Sequence, residues 1–257
     1  MPGAPTKLTC PHCGKSKYIE SLLSGNTFGA RLWSDSKRFY PMWHSPSPVQ
    51  QCPHCGGFFF FSDSNPLNYR ELKGELKAEW LFPEQTGHAE KTALSGESEQ
   101  KRLYEIQKEA YTNGFGDLSF KEMDKAFQAL YPQAEVKERR ADLLFLWLFS
   151  YNDMFGGRQE GSAPACSPEI CDRHRYVLEE LCRMYESDRI FVAELHRELG
   201  DFDGCIRIAK KPMDGDPYHN QIIRSQIIDM AEMGKTDVFE VIMVRPSEKN
   251  LFELDEN

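Results

Sequence analysis

Cys10-Pro11-His12-Cys13-Gly14 and Cys52-Pro53-His54-Cys55-Gly56 are two copies of one pentapeptide, CPHCG, in a chain of 257 residues. Two residues between thiols let a single tight turn aim both sulfurs at one point. Proline fixes one backbone angle of that turn, and glycine lets the chain leave it at positive φ. Amides of the turn are then free to donate to the sulfurs. Two such turns supply four thiolates, the tetrahedral set that a closed structural zinc site prefers.

The pair of motifs therefore predicts a zinc ribbon over residues 1–64, with Cys10, Cys13, Cys52 and Cys55 holding one structural Zn²⁺. Four protein ligands leave no open coordination position, so the ion is expected to be noncatalytic. Cys-Pro-His-Cys also serves thiol–disulfide oxidoreductases, but that chemistry wants one CxxC opening a helix within a βαβ framework. Here the motif occurs twice, is followed by Gly each time, and has no such framework around it. His12 and His54 sit inside their turns and are expected to be exposed spectators.

The 38 residues between Cys13 and Cys52 have room for an inserted hairpin. Ser34-Asp35-Ser36-Lys37 is turn chemistry between aromatic, extended flanks. Arg31, Trp33, Lys37, Arg38 and Trp43 make an aromatic-basic candidate interaction surface, suited to clasping a peptide or stacking bases. After the second turn, Phe58 to Phe61 read as a strand with two faces, and one pair of rings is expected to dock on the helical body.

Charge divides the chain unevenly. Residues 1–62 carry a net +4, which four thiolates and one Zn²⁺ would lower to about +2. The remainder carries -13 and the whole chain -9, which argues against a general nucleic-acid binder. The expected class is multidomain α+β: a small β ribbon (1–64), a connecting segment (65–96) and an all-α domain (97–257). Glu71 to Trp80 fits a helical stripe despite Gly74, its charged/apolar alternation also fits a strand, and the polar stretch from Thr86 to Gly96 fits a linker.

In the helical part, Ser119-Phe120-Lys121-Glu122 is a capping box. A long helix is expected over about 134–154, apolar on all sides at Leu143 to Phe149. Ser167-Pro168 and Asp188 mark two further helix starts. A period of 34 residues then relates Leu199-Gly200 to Met233-Gly234, and Lys211-Pro212 to Arg245-Pro246. Glu194 to Cys205 resembles a tetratricopeptide (TPR) helix–turn–helix corner, although Thr236 and Pro212 depart from the pattern. That resemblance implies a stack presenting a groove for a protein or peptide. The whole layout resembles uncharacterised bacterial proteins with a CPxCG zinc-ribbon head and a TPR-like tail, a family that brings no known reaction.

Other signals point nowhere specific. Asn113 to Glu122 matches half of an EF-hand loop, but Tyr111 and Phe115 stand where oxygen ligands are needed. Cys166, Cys171, His174 and Cys182 could suggest a second metal site, but Cys171 and Cys182 lie too far apart on one helix to share an ion, and these cysteines are expected to be buried structural residues. The acidic end, Phe252 to Asn257, reads as frayed. There is no apolar run long enough for a membrane span, and the N-terminus has no secretory pattern. These features together predict a cytoplasmic, noncatalytic adaptor that binds a protein or peptide. A nucleic-acid-associated protein using the hairpin, or a thiol oxidoreductase, is the alternative.

Overall fold

The computed structural model describes residues 5–21, 25–42, 45–67, 96–114, 116–157, 164–211 and 217–243. The segment Glu71 to Trp80, nearly all of the linker, Trp43, the Pro212 and Arg245-Pro246 positions of the repeat, and the acidic end lie outside the described residues. Contacts divide the chain into two compact units, Met1–Ala30 with Tyr40–Trp147, and Arg31–Phe39 with Leu148–Asn257.

The first unit contains two antiparallel hairpins. Strand β1 (Thr6–Thr9) pairs with β2 (Ser16–Ile19), Thr9 lying opposite Ser16. A second hairpin joins β5 (Val49–Gln51) to β6 (Phe58–Phe60), Gln51 opposite Phe58. Each hairpin carries one CPHCG turn at its tip. Leu8, Ile19, Val49 and Phe59 of these hairpins are buried.

Helix α1 (Gly96–Asn113) belongs to this unit because it covers β2. An edge strand leaves backbone groups unpaired. Here the Tyr18 amide donates to Glu109 Oε1 (3.1 Å), Asn113 Nδ2 donates to the Tyr18 carbonyl (2.7 Å), and the Glu20 amide donates to the Gly114 carbonyl (2.8 Å). Composition groups residues 1–64 by charge, whereas contacts group the hairpins with the helix that satisfies their edge.

Helix α2 (Phe120–Leu130) starts at the expected box: Ser119 accepts from the Glu122 amide, and Glu122 reaches back to the Ser119 amide (2.9 Å). It lies against β6, where Arg139 stacks over Phe60 at 4.7 Å and pairs with Asp63. The Phe58–Phe61 expectation thus resolves by residue. Phe59 packs with Cys10 and Cys52, while Phe60 is covered by the Arg139 guanidinium. A short 3-10 turn (Tyr131–Gln133) leads to α3 (Lys137–Met154), on which Leu143, Leu144, Trp147 and Leu148 are fully buried. Trp147 Nε1 donates to Asp124 Oδ1 at 2.8 Å, so the one polar atom of that ring is satisfied. Gly116 has φ +75°, and a Cβ there would meet the buried Gln50 side chain at 2.1 Å, so the chain passes Gln50 only as glycine.

The second unit holds the inserted hairpin, β3 (Arg31–Leu32) with β4 (Arg38–Phe39), and the end of α3. It continues with α4 (Pro168–Met184), α5 (Arg189–Glu198), α6 (Phe202–Ala209) and α7 (Tyr218–Glu232). Ser167, Asp188 and Asp201 cap α4, α5 and α6, each accepting from an amide three residues on. Ala193, Cys205, Ala209, Ile227 and Ala231 pack the α5–α6–α7 core, the small side chains of all but Ile227 allowing close helix approach.

The 34-residue spacing is visible as two equivalent helix ends. After α5 the Gly200 amide (φ +78°) bonds the Arg197 carbonyl and Asp201 bonds His196. After α7 the Gly234 amide (φ +65°) bonds Ala231 and Lys235 bonds Met230. Both are Schellman caps. Beyond them the two segments part. Residues 236–243, which the period aligns with α6, are not helical: the Ser34 amide bonds the Phe239 carbonyl (2.9 Å), and the Val241 amide bonds the Leu32 carbonyl (2.7 Å). Lys235 stands where Asp201 caps α6 and offers no side-chain acceptor, and bulky Phe239 stands where Cys205 lets α6 close on its neighbours. Gln226 holds this segment on α7, donating to the Ile242 carbonyl (2.9 Å) and accepting from its amide (3.0 Å).

Replacing Ser119 by Ala is expected to lower stability by about 1 kcal/mol through loss of the cap, with Ser119→Asp close to wild type. A denaturant titration of the three proteins measures this directly.

Candidate metal centre

Each CPHCG turn is closed by the same bonds. The Gly14 amide bonds the Cys10 carbonyl and the Gly56 amide bonds the Cys52 carbonyl, both at 2.9 Å. Cys10 N bonds Lys15 O, and Cys52 N bonds Gly57 O, also at 2.9 Å. Gly14 and Gly56 leave their turns at φ +71° and +72°, the conformation expected of them.

The turns bring the four sulfurs of Cys10, Cys13, Cys52 and Cys55 within 4.8 Å of one another. Across the turns, Cys10 Sγ lies 3.8 Å from Cys55 Sγ, and Cys13 Sγ lies 3.7 Å from Cys52 Sγ. Sulfurs about 2.3 Å from the centre of a tetrahedron are separated by about 3.8 Å, so these spacings suit one shared ion. They are far too long for disulfides between the turns, which need about 2.05 Å.

Proton affinity within the set points the same way. Burial opposes ionisation of Cys52, yet the Cys55 and His54 amides and the neighbouring sulfurs bring its thiol down to about 6. The Gly57 amide favours the Cys55 thiolate, but burial and three adjacent sulfurs outweigh it and push that thiol up to about 11. Cys13 is likewise raised, desolvation and its hydrogen bonds to Cys52 and Cys10 outweighing the Lys15 amide. Close thiols thus hold protons that a divalent cation would displace. Buried Lys17 donates to the Gln51 carbonyl at 2.9 Å; desolvation lowers its pKa, while Cys52 and Cys10 oppose the shift. Its ammonium offsets negative charge on the sulfurs.

The two histidines are exposed, as expected, but they are not spectators. His12 Nε2 donates to the Phe58 carbonyl (2.9 Å) and His54 Nε2 donates to the Ser16 carbonyl (3.3 Å). Each turn therefore clasps the strand that follows the other turn. Repetition of the histidine in both pentapeptides is the sequence signal for this.

No family model, curated protein or solved structure matches this chain.

The layout that stands is an N-terminal β region bearing a four-cysteine cluster, followed by seven α-helices among the described residues. None of those helices is long and apolar enough to cross a membrane. Of the remaining site candidates, Arg31, Trp33, Lys37 and Arg38 lie on the inserted hairpin, and Trp43 lies outside the described residues. Trp33 is half-buried in the hairpin, and Arg38 is exposed. Lys37 Nζ lies 2.5 Å from Asp153 Oδ2, and Arg31 Nη1 lies 3.9 Å from Glu240 Oε2. Two of the basic residues proposed from sequence thus already face carboxylates. Cys166 and Cys171 are not core residues: they lie side by side with Cα atoms 6.2 Å apart, a spacing a disulfide can bridge, and Cys171 is exposed. Cys166 ends the loop before the Ser167 cap and Cys171 lies one turn into α4, which brings them together. Among the described residues, only the four N-terminal cysteines form a group able to hold a metal.

Sequence reasoning missed a second polar constellation, in the second unit. Asp35, Asn152, Glu194, Arg197 and Glu198 are all buried there, and His174 lies 3.9 Å from Glu198. Spacing gave a signal, since Glu194, Arg197 and Glu198 share one helical face with core residues.

Cys52→Ser is expected to abolish stoichiometric metal binding, whereas His12→Ala retains one ion per chain; metal analysis of the purified proteins measures both. Displacing protons from Cys13 and Cys55 makes affinity rise with pH. The rise is read by chelator competition at increasing pH.

Proposed function

We propose that this chain is a noncatalytic cytoplasmic adaptor of the zinc-ribbon and TPR-like type, with one structural zinc on Cys10, Cys13, Cys52 and Cys55. The observation that carries the reading is the spacing of the four sulfurs, which suits a single tetrahedral ion and fills its coordination. Zinc is the choice for an all-thiolate tetrahedral set. An ion of that kind supplies folding energy on the order of 10–16 kcal/mol and no reactive position.

The partner is a protein or peptide. The corner formed by α5, Gly200 and α6 supports a TPR-like packing, as do the small residues Ala193, Cys205 and Ala209 and the paired caps at Gly200 and Gly234. The hairpin with Arg31, Trp33, Lys37 and Arg38 is the proposed contact surface. Phosphate is the weaker fit, because Lys37 and Arg31 face Asp153 and Glu240 and the chain is acidic overall. An oxidoreductase is also the weaker fit, since the sulfurs of opposite turns stand at ion-sharing distances.

Affinity capture from a nuclease-treated cytoplasmic extract tests this, using the intact protein and a Trp33→Ala/Arg38→Ala variant. The expected result is a protein retained by the intact chain and lost with the variant. Recovery of nucleic acid before nuclease treatment, with affinity falling steeply as salt rises, would replace the reading by the nucleic-acid one. A thiol count on protein purified without reductant tests the compartment: a fully oxidised Cys166–Cys171 pair in the cell would argue for an oxidising one.

A further inference from the structure

Asp35 sits in the turn of the inserted hairpin and is completely buried. Its Oδ1 accepts from the Lys37 amide (3.2 Å) and its Oδ2 from Asn152 Nδ2 (2.9 Å). The same Asn152 Nδ2 also donates to Glu198 Oε2 (3.1 Å). One neutral amide on α3 thus joins a carboxyl of the hairpin to a carboxyl of α5. Glu198 Oε1 is buried and has no hydrogen-bond partner among the described residues.

The surroundings offer Glu198 little positive charge. Arg197, on the same helix, directs Nε and Nη2 at Glu194 (2.8 and 2.5 Å) and Nη1 at the Lys235 carbonyl (2.6 Å). Lys37 on the hairpin is paired with Asp153 of α3. From α4, His174 approaches Glu198 Oε2 at 3.9 Å, stacked on Tyr151 at 3.8 Å, and burial brings its imidazole down to about 4, so it is neutral at pH 7. Tyr151 and Cys182 are pushed up by burial first and by Glu198 as well, with Asp237 adding to the effect on Tyr151. The two cations, Arg197 and Lys37, are thus committed to other partners, and the remaining titratable neighbours named here are neutral or negative. Two ionised carboxylates on one amide in such a place would repel, and such pairs hold a proton between them. Asp35 has two donors, so the proton belongs to Glu198.

We propose that Glu198 carries a proton at neutral pH and thereby latches the hairpin Arg31–Phe39 onto the helices of its unit, and that loss of this proton in alkali releases the hairpin. Burial first, then Glu194 and Asp35, hold the Glu198 carboxyl well above the usual carboxylate range. A raised folded value means the latch is fully closed below the ordinary Glu value of about 4.3 and weakens as pH rises through the folded value. Each pH unit in that window opens it by up to about tenfold, the limit for one proton.

Hydrogen exchange of the full chain, read by mass spectrometry and corrected for intrinsic rates, tests this. The reporters are the amides of Ser34 and Val241, which bond across the hairpin's docking edge. In wild type the opening equilibrium is expected to rise up to tenfold per pH unit through the window. Glu198→Gln, the uncharged isostere, is expected to stay closed with a flat profile. A wild-type slope retained in Glu198→Gln, or a flat wild-type profile, would overturn the latch. Should the variant not fold, the infrared spectrum of wild type decides: a buried carboxylic-acid C=O band at neutral pH that disappears as the hairpin opens is the expected result, and its absence refutes the proposal.

Discussion

Four sulfurs that must share one small volume constrain everything at the front of this molecule. Crowded thiols repel as thiolates and make poor hydrogen bonds as thiols, so the cluster is unfavourable by itself and favourable around a cation. The fold accommodates this with backbone geometry rather than bulk. Glycine at positive φ after each turn, amides aimed at sulfur, and the Lys17 ammonium nearby all serve that end. The apolar core of the hairpins is small, with Leu8, Ile19, Val49 and Phe59 as its main members, so the covering helix α1 supplies part of what burial alone does not, and an ion held by the four sulfurs would supply more.

The second unit solves a different problem, how to bury charge. Glu194 and Arg197 are fully enclosed yet satisfy each other, and the last Arg197 donor reaches a main-chain carbonyl. Breaking such a pair strands a charge, which costs far more than the pair contributes. Asp35 brings a further acidic group into the same interior from a hairpin that is distant in sequence. Gly156 makes room for this arrangement, since a Cβ there would stand 2.6 Å from Asn152 Oδ1. The hairpin is thereby tied to its helices by polar specificity as much as by apolar contact.

Local chemistry was legible in the sequence and long-range pairing was not. The CPHCG turns, the Ser119 box, the Ser167-Pro168 start and the Asp188 cap all act within four residues, and each stands where it was expected. The docking of Asp35 onto Asn152 spans 117 residues, and no periodicity encodes it. Residues 236–243 were misleading because the 34-residue match preserves the Gly234 cap while losing the N-cap acceptor that would start a helix. The grouping of α1 with the hairpins is equally long-range, its ties to β2 running through two side chains and two main-chain carbonyls.

The two CPHCG hairpins are copies of one another at a shift of 42 residues. The shift carries Ser16 onto Phe58, so the two histidine clasps are one interaction seen twice. Each hairpin brings half of a coordination sphere and is incomplete alone. A chain with a single copy would have to meet a second molecule to finish the sphere, and its assembly would depend on concentration. Joining the copies in one polypeptide replaces that encounter with an intramolecular closure at an effective concentration on the order of millimolar. Duplication of a half-site thus accounts for why the connection between the halves tolerates an insertion as large as a docked hairpin.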